Sequence, residues 1–394
     1  MPVRQLAEGV FSVGAVDWDR RLFDALIPLP DGTSYNSYVI RGSQATALVD
    51  TVDPSKAQVL QDHLTSLSVA QLDYVVVNHA EQDHSGALPA ILQRYPAAKV
   101  LCTAKCTELL GSMLHVSPDR MRAVEDGERV TLGDRTLEFV HAPWVHWPET
   151  MLTYLREDKI LFTCDFLGSH LATSGLYASD RGRVAEAAKR YYGEIMMPFA
   201  RNIAKHLDRL AAYDIRLIAP SHGPMHDDPS FIIDLYRDWA VAEPKNQVLV
   251  AFVSMHGSTQ QLTEHLVTAL IGRGIAVERF DLTVTDLGKL AMGLVDSATV
   301  LVGSPTMLAG PHPQAIYATN VVNALRPKTK FIGVYGSYGW GTRVDQQIAA
   351  ICANLRVELL PPVLVKGAPR PEDFAAIEKL ADAVLEKHKE AGIA

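Results

Sequence analysis

The sequence predicts an α/β protein of two domains, each built from sheets flanked by helices. At 394 residues the chain is long for one domain and suits two. Short apolar strands recur throughout, with helices between them. At residues 243–247 a polar, proline-containing segment interrupts this pattern, and a regular alternation of strand and helix follows. We therefore expect one domain over residues 1–246 and a second over residues 247–394.

The first half combines β-forming runs with helical stretches. Two sheets inside a layered α/β domain account for that mixture. The predicted strands are 10–13, 37–40, 47–50, 74–77, 100–102, 160–164 and 215–219, with a hairpin over 130–141 that turns at Gly133-Asp134. The predicted helices are 55–68, 87–95 and 183–212.

The second half alternates strands and helices regularly, which predicts a doubly wound parallel sheet. The expected strands are 248–253, 276–280, 299–302, 331–335 and 357–360. The expected helices are 259–272, 286–295, 313–325, 342–354 and 371–390.

Composition and charge exclude several classes of protein. With 48% hydrophobic and 21% charged residues, the chain is typical of a soluble globular protein. A net charge of −8 argues against a nucleic-acid partner. Residues 298–325 carry no charged side chain, but their prolines and glycines predict a strand, a ligand-binding loop and a helix rather than a membrane span. The first residues show no basic-then-apolar signal. The four scattered cysteines fit reduced core thiols, so we expect a cytoplasmic protein without a membrane partner.

A loop rich in metal-ligand side chains follows the apolar run at residues 74–77. His79, Glu81, Asp83 and His84 place imidazole and carboxylate groups within six positions. A single histidine after a strand is more often a hydrogen-bonded core residue than a ligand. Several unpaired charges are costly to bury together, so these four are either solvated or share a cation, and we favour the cation.

Three more candidate ligands lie at the ends of later segments: His146, Asp165 and His222. Seven ligand-type residues exceed the need of one four- to six-coordinate ion, whereas two ions bridged by a carboxylate use them all. Asp165 is the best bridging candidate because it is the only carboxylate far from the loop in sequence. The nitrogen and oxygen ligand set favours iron or manganese over zinc. His141 and His170 are expected to lie outside the ligand set.

The combined motif resembles that of the metallo-β-lactamase superfamily, with Glu81 where a histidine is usual. That replacement, with Leu48-Val49-Asp50-Thr51, His146-Trp147-Pro148 and Pro220-Ser221-His222-Gly223, is similar to the A-type flavodiiron proteins. The resemblance implies a metallo-β-lactamase-like αββα sandwich followed by a flavodoxin-like domain. It also implies two irons, one held by His79, Glu81, His146 and Asp165, and the other by Asp83, His84, Asp165 and His222.

Three loops at the carboxyl ends of predicted parallel strands form a candidate flavin site in the second half. Hydroxyls, glycines and free amides at a helix N-terminus suit a phosphate, and two aromatic residues could flank a flat ring. Capped helices and glycine-rich turns are the plainer alternative. No Gly-x-Gly-x-x-Gly fingerprint supports a dinucleotide. The arrangement resembles a flavodoxin domain with FMN. The candidate residues are Ser254, Met255, His256, Gly257, Ser258, Thr259, Ser304, Pro305, Thr306, Met307, Ser337, Tyr338, Gly339, Trp340 and Gly341.

The resemblance implies a reductase that passes electrons through FMN to the diiron centre, reducing O2 to water and/or NO to N2O. It implies a head-to-tail homodimer or dimer of dimers. The electrons would come from a donor protein such as rubredoxin or a reduced cofactor such as F420H2. His170, Tyr191 and Tyr192 are candidates for the pocket near the irons. One alternative is a two-zinc hydrolase with an appended flavodoxin-like module. Another is a non-catalytic electron carrier, which would leave the seven ligands unexplained.

Overall fold

A computed structural model describes residues 2–394, which divide into two compact units. One unit takes in the chain up to Tyr192 together with Phe199–Val241. The other consists of Gly193–Pro198 and Ala242–Ala394. The position predicted for the domain boundary, after residue 246, lies inside the strand Lys245–Phe252 of the second unit.

The first unit contains two large sheets. In the first sheet the leading four strands pair antiparallel and the rest pair parallel, in the order Arg4–Ala7, Val10–Ser12, Tyr38–Arg41, Thr46–Val49, Tyr74–Val76, Lys99–Cys102 and Met121–Ala123. The second sheet is antiparallel except at its last pair, in the order Arg129–Thr131, Thr136–His141, Met151–Leu155, Ile160–Cys164 and Leu217–Pro220. Two small hairpin sheets pair Ala15–Asp17 with Thr33–Tyr35 and Leu22–Phe23 with Ile27–Pro28.

Side chains of the first sheet alternate between two cores, as a pleated strand requires. Tyr38 and Ile40 face the second sheet and share a core with Phe139 and Phe162. The intervening Val39 belongs to another core, which it shares with residues of helices on the outer face. The helices of the unit are Ala57–Ser66, Gln82–Ser85, Leu88–Arg94, Ala104–Leu114, Arg181–Tyr191, Ala200–Leu210 and Pro229–Ala240. The predicted αββα layering of two sheets between helices is confirmed.

The second unit is a parallel sheet with helices on both faces. Its first strand in sequence lies between the second and third, in the order Ala276–Asp281, Lys245–Phe252, Ser297–Met307, Phe331–Tyr338 and Glu358–Leu359, with Val363–Lys366 also pairing with Phe331–Tyr338. The helices Ser258–Gly272 and Pro371–Glu390 share one core with the sheet. The other helices are Leu287–Asp296, Pro313–Leu325 and Val344–Ile351. The strand order 2-1-3-4-5 is that of flavodoxin-like sheets.

Several predicted elements differ in detail. The helical stretch expected over 183–212 is interrupted between Arg181–Tyr191 and Ala200–Leu210 by a π-turn at Tyr192–Met196 and a 3₁₀ turn at Met197–Phe199. Pro198 lacks the amide proton that a continuous helix needs there. Among the elements that the sequence analysis missed are the helices Ala104–Leu114 and Pro229–Ala240 and the strands Met151–Leu155 and Val363–Lys366.

The uncharged stretch at residues 298–325 forms the predicted strand and helix, with a tight turn between them where a ligand-binding loop was expected. Within residues 2–394 we find no helix with the length and apolar character needed to cross a membrane. All four cysteines are buried free thiols.

Candidate functional site

The metal-ligand loop begins directly after the strand Tyr74–Val76 of the first sheet. Its second half, predicted as loop, is the one-turn helix Gln82–Ser85, which carries Asp83 and His84. Hydrogen bonds hold the loop in place. Thr51 donates to the His84 carbonyl from its amide at 2.7 Å and from its hydroxyl at 2.6 Å, and the Ser85 hydroxyl donates to the Ala80 carbonyl at 2.6 Å.

The structure gathers the seven predicted ligands into two adjoining groups. The first group contains His79, Glu81, His146 and Asp165, whose ligand atoms all lie within 4.8 Å of one another. Nε2 of His79 and Nε2 of His146 each lie 3.1 Å from the same oxygen of Glu81. Both imidazoles are thus directed at one small volume beside a carboxylate.

The second group contains Asp83, His84 and His222, again with ligand atoms within 4.8 Å of one another. His222 Nε2 lies 3.0 Å from Asp83 Oδ2, and His84 Nε2 lies 3.3 Å from the same oxygen. These three residues are buried. The second group therefore repeats the chemistry of the first, with two imidazoles and one carboxylate of its own.

Asp165 joins the two groups through its two oxygens. Oδ2 lies 3.4 Å from His79 Nε2 and 3.3 Å from His146 Nε2. Oδ1 lies 2.9 Å from His84 Nε2 and 3.4 Å from His222 Nε2. Each oxygen thus faces a different pair of imidazoles, which is the geometry that a bridging carboxylate requires.

The electrostatics of the cluster favour charged forms of its residues. Burial lowers the pKa of His222, but the adjacent carboxylates of Asp165 and Asp83 outweigh burial and raise that pKa to about 10. In the same way Asp165 and Glu81 outweigh burial at His146 and raise its pKa to about 9. Burial raises the pKa of Asp165, but the surrounding imidazoles hold that pKa well below its usual value. Protons therefore occupy the imidazoles when no cation is bound, and a metal ion would displace them.

The donor atoms of this cluster are suited to metal ions. Both carboxylate oxygens of Asp83, both ring nitrogens of His84 and Oδ2 of Asp165 are buried without a hydrogen-bond partner within residues 2–394. Buried polar atoms normally have such partners, and a set of them converging on one volume points to a ligand. Imidazole nitrogens and carboxylate oxygens fit iron, manganese or zinc, and the high share of carboxylate favours the harder ions.

Glu149 is a site residue that the sequence analysis did not identify. His79 Nδ1 donates to Glu149 Oε1 at 2.6 Å, and the Ala80 amide donates to the same oxygen at 3.0 Å. On the other side of the cluster, His222 Nδ1 donates to the Ser34 carbonyl at 2.6 Å. Such outer partners fix ring orientation and tautomer. Only the position of Glu149 three residues after His146 could have signalled its role.

The aromatic neighbours of the cluster divide into two kinds. His170 lies outside both ligand groups, with Nδ1 hydrogen-bonded to the Thr33 hydroxyl at 2.9 Å and its ring centroid 4.6 Å from that of His222. Tyr191 packs edge-on against His170 at 4.9 Å. Tyr192 instead contacts Tyr236 and Trp239, a packing cluster in the core.

Two further residues near the ligands complete this picture. His141, expected outside the ligand set, directs Nε2 to the Val124 carbonyl at 3.0 Å. Phe23, which the sequence reasoning missed, packs 5.1 Å from the His170 ring and 6.4 Å from the His222 ring. An apolar residue from a short hairpin therefore covers the second group.

The three predicted flavin loops meet at the carboxyl ends of the central strands in the second unit's sheet, a region that we call the flavin edge. In the strand register, Phe252 is opposite Gly303, and Ser304 is opposite Gly336. Gly257, at φ +87°, precedes the helix Ser258–Gly272, and the Ser254 hydroxyl oxygen accepts from the amides of Gly257 and Gln260 at 3.2 Å each. The first amides of that helix have no intrahelical acceptor, which suits an anion.

The predicted flavin residues differ in how far they reach the surface. Thr259 is buried at the helix start, and its hydroxyl lies 3.5 Å from that of Ser337. Ser304 is fully buried and turned inward, donating to the Pro305 carbonyl at 2.8 Å and accepting from the His312 amide at 2.9 Å. The other predicted residues are partly or largely exposed, except for buried Pro305: Ser254, Met255, His256, Gly257, Ser258, Thr306, Met307, Ser337, Tyr338, Gly339, Trp340 and Gly341.

One of these loops is more regular than expected. Residues 303–307, predicted as loop, continue the strand Ser297–Met307. Leu308 and Ala309 both have positive φ and turn the chain so that Met307 pairs with Gly310. The flavin edge is therefore formed here by a tight hairpin.

Comparison with known proteins places this chain in a family. The family model described as ODP family beta lactamase matches residues 33–223. A nitric oxide reductase from Moorella thermoacetica is 36% identical over 378 residues, covering 94% of each chain. Among solved structures, rubredoxin oxygen:oxidoreductase from the anaerobe Desulfovibrio gigas has a TM-score of 0.94 at 28% identity, covering 100% of both chains. The flavodiiron protein from Giardia intestinalis has a TM-score of 0.89 at 28% identity over 98% of both chains. The chain therefore belongs to the family of flavodiiron proteins.

Proposed function

We propose that the protein is an oxidoreductase that uses electrons passed through FMN to a diiron centre to reduce O2 to water, NO to N2O, or both. The observation that carries this proposal is the placement of Asp165, with one oxygen toward each of two imidazole pairs. The names of the relatives, a nitric oxide reductase and a rubredoxin oxygen:oxidoreductase, support reduction of these two substrates.

The seven ligands would hold one pair of irons. His79, Glu81 and His146 would hold one iron and Asp83, His84 and His222 the other, with Asp165 shared between them. When bound, FMN supplies transfer of one or two electrons, and the iron pair supplies electrons to a small diatomic molecule. The orphaned oxygens of Asp83 and nitrogens of His84 support including both residues among the ligands.

Residues beside the ligands shape the space for the substrate. Phe23 and the ring of His170 cover His222 with aromatic carbon, which excludes water and suits an uncharged diatomic. Burial, together with the Asp165 carboxylate, raises the pKa of Tyr191, so its phenol keeps its proton at neutral pH. Tyr191 can therefore donate a hydrogen bond next to the ligands.

FMN would bind at the edge where the three loops of the second unit meet. Its phosphate would lie at the N-terminus of the helix Ser258–Gly272, with the hydroxyls of Ser254, Ser258 and Thr259 around it. Residues 304–307 and 337–341 would border the ring system. Trp340, which is 88% exposed, and Tyr338 are the aromatic candidates for contact with it.

Electrons would come from a separate donor, either a rubredoxin-type protein or a reduced cofactor such as F420H2. A head-to-tail homodimer, alone or as a dimer of dimers, would bring the FMN of one subunit to the diiron centre of the other. The four buried free thiols support a reducing compartment, so we place the protein in the cytoplasm.

The two-zinc hydrolase is the alternative that the first unit alone would allow. The flavodoxin-like strand order of the second unit and the oxidoreductase names of the relatives both count against it. Metal analysis and a visible spectrum of the purified protein separate the two functions. We expect two irons per chain and a flavin spectrum released as FMN on denaturation. Two zincs and no flavin would overturn the reductase proposal.

A further inference from the structure

The two ligand groups have nearly the same chemistry but different outer support. In the first group, His79 Nδ1 donates to the carboxylate of Glu149 at 2.6 Å. In the second group, His222 Nδ1 donates to a neutral backbone carbonyl, that of Ser34, at 2.6 Å. Nδ1 of His84 is buried with no hydrogen-bond partner within residues 2–394. In the first group, the outer nitrogen of His79 therefore faces an anion. In the second group, the outer nitrogen of His222 faces a neutral carbonyl, and that of His84 has no partner among the described residues.

Glu149 is held in place by more than the histidine. The Ala80 amide donates to the same oxygen, Oε1, at 3.0 Å, and the Thr103 hydroxyl donates to the Glu149 backbone carbonyl at 2.9 Å. Thr103 is also the N-cap of the helix Ala104–Leu114, so the Glu149 backbone is tied to the start of a helix. The side chain is fully buried.

The two oxygens of Glu149 differ in their contacts. Oε2 is buried and has no hydrogen-bond partner within residues 2–394. Glu149 lines a cavity of about 190 Å³ together with Thr103, Lys105, His141, Pro148 and Thr150. The side chain has no exposed surface, and no described residue competes with His79 and Ala80 for the carboxylate.

We propose that Glu149 is a positioning residue that makes the His79 site the tighter of the two metal sites. A carboxylate behind a ligand imidazole fixes the tautomer with Nε2 free and makes that nitrogen a stronger donor. It also adds a negative charge near one cation and not the other. Each group has one carboxylate of its own and shares Asp165, but only the first has a carboxylate hydrogen-bonded to the outer nitrogen of a ligand imidazole among the contacts described above.

This inference depends on the proposed binding of two metal ions, and metal release tests it without any measurement of turnover. The reduced full-length holoprotein is mixed with a chromophoric Fe²⁺ chelator, and iron release is followed with time. Wild type should lose one iron quickly and one slowly. In Glu149→Gln the amide oxygen can still accept from Ala80 and His79, so mainly the charge is lost, and the slow phase should accelerate by about 10- to 100-fold.

Ligand variants identify which iron each phase reports. Asp83→Asn should retain the slow phase, and Glu81→Gln should abolish it. Glu138→Gln is the matched control, since Glu138 is also buried but pairs with Arg129 and Arg156, outside the metal cluster. It should leave both phases unchanged even where it lowers stability. Glu149→Asp, which keeps the charge, should fall between wild type and Glu149→Gln.

Two results would overturn the inference. One is an unchanged slow phase in folded Glu149→Gln, with folding checked by circular dichroism. The other is a slow phase that Asp83→Asn abolishes and Glu81→Gln retains. If Glu149→Gln does not fold, the Glu149→Asp and ligand variants still decide the order of the sites. Wild-type protein that binds no pair of metal ions would instead refute the proposed function.

Discussion

At the scale of single residues, the centre depends on Asp165. Its two oxygens face separate imidazole pairs at 2.9–3.4 Å. The other carboxylates of the cluster, Glu81 and Asp83, each approach the imidazoles of one group. Asp165 is therefore the residue whose loss should affect both metal sites together.

Asp165→Asn should reduce iron from two per chain to one or fewer, because an amide offers only one oxygen to the two ions. Reductase turnover should fall at least as far as the roughly 100-fold loss that outer-shell changes cause. Iron analysis and turnover of purified variants check this. Asp214→Asn, at an exposed surface position, is the control and should match wild type. Unchanged iron content and turnover in Asp165→Asn would contradict the bridging role of Asp165.

His226 provides a test of how pH acts on stability. It is buried, and Nε2 donates to the Leu167 carbonyl at 3.1 Å. Burial lowers its pKa from 6.5 to about 4. Below about pH 6.5 the His226 imidazole binds a proton in the unfolded chain but stays neutral in the folded protein. Stability is therefore lost as the pH falls from about 6.5 toward 4.

A glutamine at position 226 can still donate a hydrogen bond to the Leu167 carbonyl, but its side chain does not titrate. Between about pH 7 and pH 5, the free energy of unfolding should fall by about 2 kcal/mol more in wild type than in His226→Gln. Urea unfolding of both proteins at the two pH values measures this difference. Comparing the change in the free energy of unfolding between the two proteins cancels the contribution of the metal ligands. Equal changes in the free energy of unfolding in the two proteins would show that folding does not lower the pKa of His226.

At the scale of elements, the flavin edge depends on close contact between two strands. Gly336 lies opposite Ser304, and a Cβ at Gly336 would stand 1.8 Å from the Ser304 carbonyl oxygen. Only glycine allows the strands Ser297–Met307 and Phe331–Tyr338 to approach this closely. The loops that extend from both strands are therefore set by this contact.

Gly336→Ala should force these strands apart, lowering stability by about 1–3 kcal/mol and FMN affinity by at least about 10-fold. FMN binding by fluorescence titration and thermal unfolding check both effects. Gly272→Ala is the control, since a Cβ there meets nothing within 4 Å and Gly272 lies at the end of a helix. Normal FMN affinity in Gly336→Ala would show that FMN does not bind at this edge.

Periodic elements were predictable from sequence, and elements fixed by tertiary contacts were not. The five main strands of the second unit and the helix Pro371–Glu390 follow from alternation and apolar spacing. The helix Ala104–Leu114 was missed, although Thr103 caps it by accepting from the Cys106 amide. Met307 to Gly310 form a hairpin because Leu308 and Ala309 adopt positive φ, which their residue types do not indicate.

The candidate site followed the same division. Clustered imidazoles and carboxylates after strands indicated the seven candidate ligands, because strand ends can converge. Glu149 and Phe23 could not be found in this way, since their roles come from contacts between segments distant in sequence. The sequence also did not indicate that the Ser304 hydroxyl points inward. That hydroxyl donates to the Pro305 carbonyl and accepts from the His312 amide, and the second contact depends on how the hairpin folds.

At the scale of the whole molecule, the proposal assigns metal and flavin to different units of one chain. A head-to-tail dimer predicts complementation. Asp165→Asn chains have an intact flavin edge, and Gly336→Ala chains have intact metal ligands. Mixed dimers should regain turnover, because the flavin of one subunit would serve the metal centre of the other.

The two variants should be unfolded together and refolded with iron and FMN, so that mixed dimers form. Activity well above that of either variant refolded alone is the expected result. The two variants refolded separately and then mixed without subunit exchange are the control. Folded, metal-loaded mixed dimers with no recovered activity would contradict electron transfer between subunits.

Reoxidation of the reduced protein tests the central claim most directly. The holoprotein is reduced without oxygen and then mixed rapidly with O2 or with NO, while the flavin absorbance is followed. We predict fast reoxidation by at least one of the two, with water or N2O as product, and loss of that reaction in Asp165→Asn. Slow reoxidation by both gases, at rates that Asp165→Asn does not change, would contradict the account.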